Sequence, residues 1–238
     1  MSDVAKTLAV VQHTSAEYLG LMEDHLEGRR IRFRYFRPFT AGGKLPQPSQ
    51  IADGLILVGG GPWGATPGPH RLPTLDAEVA LTATALSAAT PVIGIGLGAI
   101  ILALAAGGGA APAPLVFEVT AARRLDEGAL AGYLPQHYPL VRYGRDEAML
   151  PHEARALACD EAGRPALFQC GGRAFGFAGH PGVKSAMMED LIMEFAEGPA
   201  EPELGLRALR ATQGAIETAL VPIMTGLVRC TGLMEEHL

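Results

Sequence analysis

The sequence predicts an α/β protein built on a doubly wound, mostly parallel sheet. Segments with strand-like and helix-like patterns alternate along most of the chain. The composition, 48% hydrophobic with 30 glycines, suits a buried parallel sheet with tight turns. An apolar strand also turns sharply into an apolar helix across residues 91–106. A chain of 238 residues is long enough to bury one large core in such a fold.

The predicted elements follow one another in the order that a wound sheet requires. We expect, in chain order, a strand at Thr7–Gln12, a helix at Ala16–Leu26, a strand at Ile31–Tyr35, a strand beginning at Asp53, a helix at Leu75–Leu86, and a strand at Pro91–Ile95 that leads into a helix. Residues 111–170 have the pattern of short strands and turns, and a further helix is expected at Lys184–Ala196. The segment Ile31–Tyr35 alternates apolar and arginine side chains, which is typical of an edge strand.

A break rich in glycine and proline separates residues 1–197 from a helical extension, residues 198–238. The extension carries an apolar stripe at alternating spacings of three and four, which is typical of a helix packed on another helix. The stripe comprises Leu206, Leu209, Gln213, Ile216, Leu220, Ile223, Leu227, Cys230 and Met234. Pro222 and several glycines predict a kinked helix or two shorter ones. We favour a dimer or partner interface over packing on the same chain, so a homo-oligomer is expected.

The turn between the strand at Pro91–Ile95 and the helix that follows has the pattern of a nucleophile elbow. Such an elbow exposes one side chain at its apex, and in hydrolases that residue is Ser or Cys. Here the apex is Gly96, which has no side chain. The turn therefore predicts the geometry of a catalytic site without its nucleophile.

This stretch resembles the P-V-x-G-I-C-x-G-x-Q segment of class I glutamine amidotransferases. The segment Asp53–Pro62 resembles the family's strand and G-G-P oxyanion loop, Gln136-His137 resembles its Ser/Trp-His pair, and Ala174–Gly182 resembles its closing G-x-Q-F-H-P-E. Order and spacing match over roughly residues 4–197. The resemblance implies the family's flavodoxin-like fold for residues 1–197, with an antiparallel part within 111–170.

The resemblance also shows a degenerate catalytic triad. In the family a Cys thiolate attacks the carboxamide of glutamine, a His transfers the proton, and a Glu two residues beyond that His orients it. This chain has Gly96 in place of the Cys and Gly182 in place of the Glu, so only His180 is retained. The Gln that helps to hold glutamine corresponds to the apolar Ile100. We therefore expect no glutamine hydrolysis.

Part of the family's binding pocket is expected to persist. The donors of an oxyanion hole are backbone N–H groups of the glycine loop and of the residue after the nucleophile, and they do not depend on side chains. The candidate binding residues are Gly60, Gly61, Leu97, Gly98, Trp63 and His137. A helix N-terminus at Gly98 favours negative charge, so a small amide or anion is the expected ligand. Trp63 either roofs this pocket or packs in the core.

Two functions of different classes stay open. In the first, the protein has lost hydrolysis and acts as a binding or regulatory subunit, with a synthetase-like protein as the partner that the resemblance implies. In the second, it is a hydrolase or transferase that acts on a γ-glutamyl amide or a related amide, with His180 as general base. In the first function His180 is a relic, bonded to neighbouring backbone. We favour the first because one cause, relaxed chemistry, explains the loss of Cys, Gln and Glu together.

Charge and cysteine content argue against several other classes. A net charge of −6 disfavours binding to nucleic acid or to an anionic membrane, and the longest apolar run is too short to span a bilayer. Cys159, Cys170 and Cys230 form no regular spacing, so we expect structural thiols, no disulfide framework and no metal site. No cofactor is expected. Residues 1–12 have no targeting pattern, and the cytoplasm is the expected location.

Overall fold

The computed structural model describes residues 6–234. Residues 1–5 and 235–238, which belong to the predicted segments 1–197 and 198–238, lie outside the described part. The strands are β1 (Thr7–Val11), β2 (Arg32–Phe36), β3 (Leu55–Leu57), β4 (Val92–Ile95), β5 (Gly109–Ala111), β6 (Val116–Arg124), β7 (His137–Gly144), β8 (Glu147–Met149), β9 (Arg155–Asp160), β10 (Pro165–Cys170) and β11 (Ala174–Phe177). The helices are α1 (Met22–Glu27), α2 (Leu75–Ser87), α3 (Leu97–Ala105), α4 (Ser185–Glu194) and α5 (Pro202–Cys230).

One large sheet organises the described residues, in the order β2-β1-β3-β4-β11-β10-β9-β6-β7. The strands from β2 to β11 run parallel, and those from β11 to β7 run antiparallel to their neighbours. Strands β5 and β8 form a separate antiparallel pair. This arrangement confirms the predicted α/β class, and β2 lies at the sheet edge as its alternating pattern predicts.

The elbow depends on a close approach between β4 and α3. Strand β4 is fully buried at the centre of the sheet, between β3 and β11. A Cβ atom at Gly94 would lie 2.3 Å from the carbonyl oxygen of Gly98, and one at Gly98 would lie 2.1 Å from that of Leu57. Both positions therefore require glycine, because the backbone of α3 packs directly on the sheet.

The helix expected at Ala16–Leu26 is much shorter in the structure, since α1 covers only Met22–Glu27. The preceding backbone N–H groups bond to side chains instead of helical carbonyls. Those of Ser15 and Ala16 donate to the carboxylate of Glu194, and that of Glu17 donates to the hydroxyl of Thr14. These bonds hold residues 13–20 as a loop, which carries Glu17 towards the end of β3.

Helix α5 is one continuous helix of 29 residues that contains Pro222. It confirms the predicted helical extension, and of the two alternatives, a kinked helix or two shorter ones, it excludes the second. It packs against β6, β7 and α4. The central residues of its stripe are at most 3% exposed: Leu209, Ile216, Leu220, Ile223 and Leu227. They join the same hydrophobic clusters as Phe117 and Tyr138 of the sheet.

The prediction that this stripe forms a dimer or partner interface is therefore wrong, because the chain's own sheet already covers it. A homo-oligomer through another surface stays a prediction. The division at residue 197 also stays a prediction, although α5 shares its core with the sheet. Within residues 6–234, α5 and the shorter helices are too polar or too short to cross a membrane.

Candidate functional site

Gly96 lies at the apex of the turn between β4 and α3, with φ 57° and ψ −117°. A side chain has space there, because a Cβ atom would find only the Cα atom of Gly59 within 4 Å, at 3.5 Å. Helix α3 begins at the next residue, Leu97, and this places the first free N–H groups of the helix beside the apex. The turn thus has the backbone geometry of an elbow and no reactive group.

A cleft of about 650 Å³, measured to its open mouth, lies in front of this elbow. Five of the predicted site residues line it: Gly60, Gly61, Trp63, Gly96 and Leu97. Ile100 also lines the cleft and is 5% exposed, so the position of the family's Gln presents an apolar surface. Gly98 does not line the cleft, because it packs against Leu57.

A carboxylate already occupies one of the predicted oxyanion donors. The N–H of Gly61 donates to Oε2 of Glu17, whose side chain is almost completely buried. Burial raises the pKa of Glu17 to about 7, against the opposing effects of the Gly61 bond and the charge of His13. Gly59 has to be glycine here, since a Cβ atom would lie 2.1 Å from Oε1 of Glu17. Glu17 thus holds the glycine loop in place through its bond to Gly61 and its close contact with Gly59.

Both ring nitrogens of His180 are bonded to backbone. Nε2 donates to the carbonyl oxygen of Tyr18 at 2.7 Å, and Nδ1 accepts from the N–H of Gly182 at 3.1 Å. Burial lowers the pKa of His180 to about 4, so the ring is neutral near pH 7. Gly182 has no room for a side chain, because a Cβ atom would lie 2.8 Å from Cγ of Met22. The lone pair on Nδ1, which His180 would need to act as a general base, is therefore taken up by the N–H of Gly182.

A buried ion pair lies behind the glycine loop. Nε2 of His13 lies 2.7 Å from Oε2 of Glu78, and neither side chain is exposed. Nδ1 of His13 donates to the carbonyl oxygens of Val58 and Gly59 at 3.0 and 3.2 Å. Burial acts to lower the pKa of His13, but the charge and hydrogen bond of Glu78 outweigh it and raise the pKa. The pair fixes the position of the loop carbonyls.

The turn between β7 and β8 forms the opposite wall of the cleft. Its Asp146 accepts from the N–H groups of Ala65 and Thr66 at 2.8 and 2.9 Å, and Nε of Arg145 donates to the carbonyl oxygen of Pro62. Arg142 and Arg164 also line the cleft and pair with a shared set of carboxylates: Glu118, Glu147 and Asp160.

Sequence reasoning missed this wall and named His137 instead. The structure places His137 at the opposite end of β7 from Gly144, where it is exposed and lines a different cleft with Asp160 and Glu161. The signal that was available is the charged triplet Arg145-Asp146-Glu147, which follows a strand pattern that ends in Gly144. His13 was also available, as a polar residue two positions after β1, whereas nothing in the sequence singles out Glu17.

Metal and thiol chemistry find no support in residues 6–234. No group of three or more His, Cys, Asp or Glu side chains is placed to hold a metal ion there. Cys159 and Cys170 are buried free thiols in β9 and β10, and Cys230 is half-buried in α5. Burial raises the pKa of Cys170 to about 11, which makes this thiol a poor nucleophile.

Two solved structures with this architecture are described as glutamine amidotransferases. A glutamine amidotransferase from Methylobacillus flagellatus is 20% identical, with a TM-score of 0.80 over 98% of both chains. One from Thermotoga maritima is 21% identical, with a TM-score of 0.76 over 96% of this chain and 99% of that one. No protein-family model and no curated protein matches the sequence. At this identity the likeness establishes the fold alone: the chain has the class I glutamine amidotransferase fold.

Proposed function

We propose that this protein is a glutamine amidotransferase-like binding or regulatory subunit that does not hydrolyse glutamine. The observation that carries the proposal is Gly96. The chain has the class I amidotransferase fold with a sharp turn from β4 to α3 and a cleft in front of it, and the apex of that turn bears no side chain. Without a thiolate or hydroxyl at that point, the covalent intermediate of the family's reaction has no atom on which to form.

Two further features of the cleft support binding over hydrolysis. Water activation by His180 needs a free ring nitrogen, and both of its nitrogens are bonded to backbone. The apolar side chain of Ile100 offers no hydrogen bond to a carboxamide. The alternative function, hydrolysis of a γ-glutamyl amide with His180 as base, therefore lacks a specific observation in its favour.

The proposed partner is a separate synthetase-like protein, by analogy with the ammonia-accepting partners of the family. Affinity purification of the full chain from its native host, followed by mass spectrometry, tests this part. Recovery of an ATP-dependent ligase or synthetase in amounts comparable to the bait is the expected result. Repeated recovery of the chain alone, or with proteins unrelated to amide or amine transfer, would contradict the partner.

The binding role is tested by isothermal titration with glutamine, glutamate and γ-glutamyl amides, beside an assay for ammonia release. We expect heat of binding for a small polar ligand without any ammonia. Steady ammonia release from glutamine would favour an enzyme instead. Trp63 lines the cleft, so its fluorescence offers an independent reading of occupancy.

A further inference from the structure

A second, smaller cavity lies behind Gly96, with space for a single group about the size of a water molecule or an ammonium group. We call it the inner cavity. Its polar lining comes from Glu17, Tyr143 and His180. Gly96 and Tyr143 line both the inner cavity and the cleft in front, so the two spaces adjoin at the apex of the elbow. Because Gly96 has no side chain, none projects from the apex between the two spaces, and we call this gap the passage.

Two buried polar side chains of the inner cavity have unused hydrogen-bonding capacity. Oε2 of Glu17 accepts the N–H of Gly61, whereas Oε1 accepts no hydrogen bond within residues 6–234. The hydroxyl of Tyr143 is buried without a hydrogen-bond partner in this same part of the chain. The two residues are 3% and 7% exposed. Buried polar groups are nearly always paired, so the unpaired hydroxyl of Tyr143, which feels the charge of Glu17, indicates a ligand or water that completes it.

The charges around Glu17 favour a cation in this place. His13 is committed to Glu78 and to backbone carbonyls, and the carboxylate of Glu194 is bonded to two backbone N–H groups. His180 is neutral, with its Nε2 proton bonded to backbone. Within the described residues, neither lysine nor arginine lines the inner cavity. The positive charge that acts on Glu17 comes from His13, which is already paired with Glu78. An anion in the inner cavity would therefore be repelled by the Glu17 carboxylate.

We propose that the inner cavity is a subsite for a primary ammonium group, which enters past Gly96 and pairs with Glu17 and the hydroxyl of Tyr143. The rest of such a ligand, an alkylamine, extends into the cleft in front of the elbow. An ammonium group supplies three donors and a positive charge, and the inner cavity offers two acceptors and a negative charge. The subsite rests on the proposed function, because a residue with a side chain at the apex would fill the passage.

Proton release provides a sensitive test of this pairing. Burial raises the pKa of Glu17 to about 7, so the carboxyl carries a proton below that pH and binding of a cation has to displace it. Titration of the full chain with butylammonium at about pH 6, in buffers of different ionisation enthalpy, should show release of close to one proton per ligand. At about pH 8 the release should vanish and the affinity should be higher.

Matched ligands and variants make the test specific. Butyramide and butyrate have the same chain length with a neutral and an anionic head group, and both should bind far more weakly than butylammonium. Glu17→Gln should weaken butylammonium on the order of thirtyfold or more, since it removes the buried charge. Tyr143→Phe should weaken it about threefold to tenfold. Glu153→Gln, at a side chain that is 95% exposed, is the control and should have no effect.

Three results would overturn the subsite: butyrate or butyramide binding as tightly as butylammonium, Glu17→Gln leaving the affinity unchanged, or no binding of any of the three at about tens of millimolar. In the last case the inner cavity holds water only. Wild-type proton release and Tyr143→Phe decide the matter if Glu17→Gln does not fold. Ammonia release from glutamine by a protein that still binds butylammonium would refute the proposed function and leave the subsite standing.

Discussion

Replacing Glu17 by glutamine tests whether this buried carboxyl titrates near neutral pH. Burial raises its pKa from 4.5 to about 7. An acid with a raised pKa holds its proton more tightly in the folded state, so the free energy of unfolding falls as the pH rises through this window. At about 1.36 kcal/mol per pKa unit, the fall for Glu17 amounts to about 3 kcal/mol and is complete above about pH 7.

Glutamine has the shape of the protonated acid, and its side-chain oxygen still accepts the N–H of Gly61. The variant should therefore match the wild type near pH 4.5 and exceed it by about 3 kcal/mol above pH 7. Urea unfolding at a series of pH values measures this difference, and subtraction cancels groups that titrate identically in both proteins. Glu153→Gln serves as the control with a constant difference. A constant difference for Glu17→Gln as well would refute the raised pKa and the burial from which it is argued.

Three other substitutions test the elbow, the triad position and the helical stripe. Gly96→Cys should fold with a loss of about 1 to 3 kcal/mol from the positive φ, and thiol titration with an ammonia assay should find an accessible Cys that hydrolyses no glutamine. Gly182→Glu should lower the free energy of unfolding by about 1 to 3 kcal/mol, because the new side chain would press against Met22. Gly172→Glu is the control, since a Cβ atom there meets no other atom within 4 Å. Equal urea midpoints for the two variants would contradict this prediction. Leu220→Glu should lower the free energy of unfolding by about 3 kcal/mol or more, because it buries a charge. The mass measured by light scattering should stay the same. A lower mass with unchanged stability would instead support an interface between chains at this stripe.

The fold was predictable because its signals are local and repeated. The apolar strands around residues 7–12 and 91–95 and the helix at Leu75–Leu86 follow from periodicity and from the glycine-dense turn. The length of α1 was not predictable, since side chains distant in sequence, such as Glu194, take the N–H groups that a helix would use. The partner surface of α5 was not predictable either, because an apolar stripe specifies burial without naming what covers it.

The candidate site was predictable only where backbone defines it. The glycine loop and Gly96 follow from sequence, because glycine at a tight turn reports backbone geometry directly. Glu17 and Tyr143 could not be identified from the sequence, because what makes them notable is that the fold brings them to the same inner cavity. His137 was chosen from a resemblance in a short pair of residues, and the structure places it at the end of β7 away from the cleft in front of the elbow, so its role in binding stays a prediction.

Ammonia release from glutamine by the full chain tests the central claim most directly. The protein should be assayed at high concentration over hours, beside His180→Ala and a buffer blank. Loss of the nucleophile lowers the rate of such a catalytic unit on the order of a millionfold, so we expect all three samples to give the same background. Release by the wild type at about one turnover per second, abolished by His180→Ala, would contradict the claim that Gly96 leaves this fold without glutamine hydrolysis.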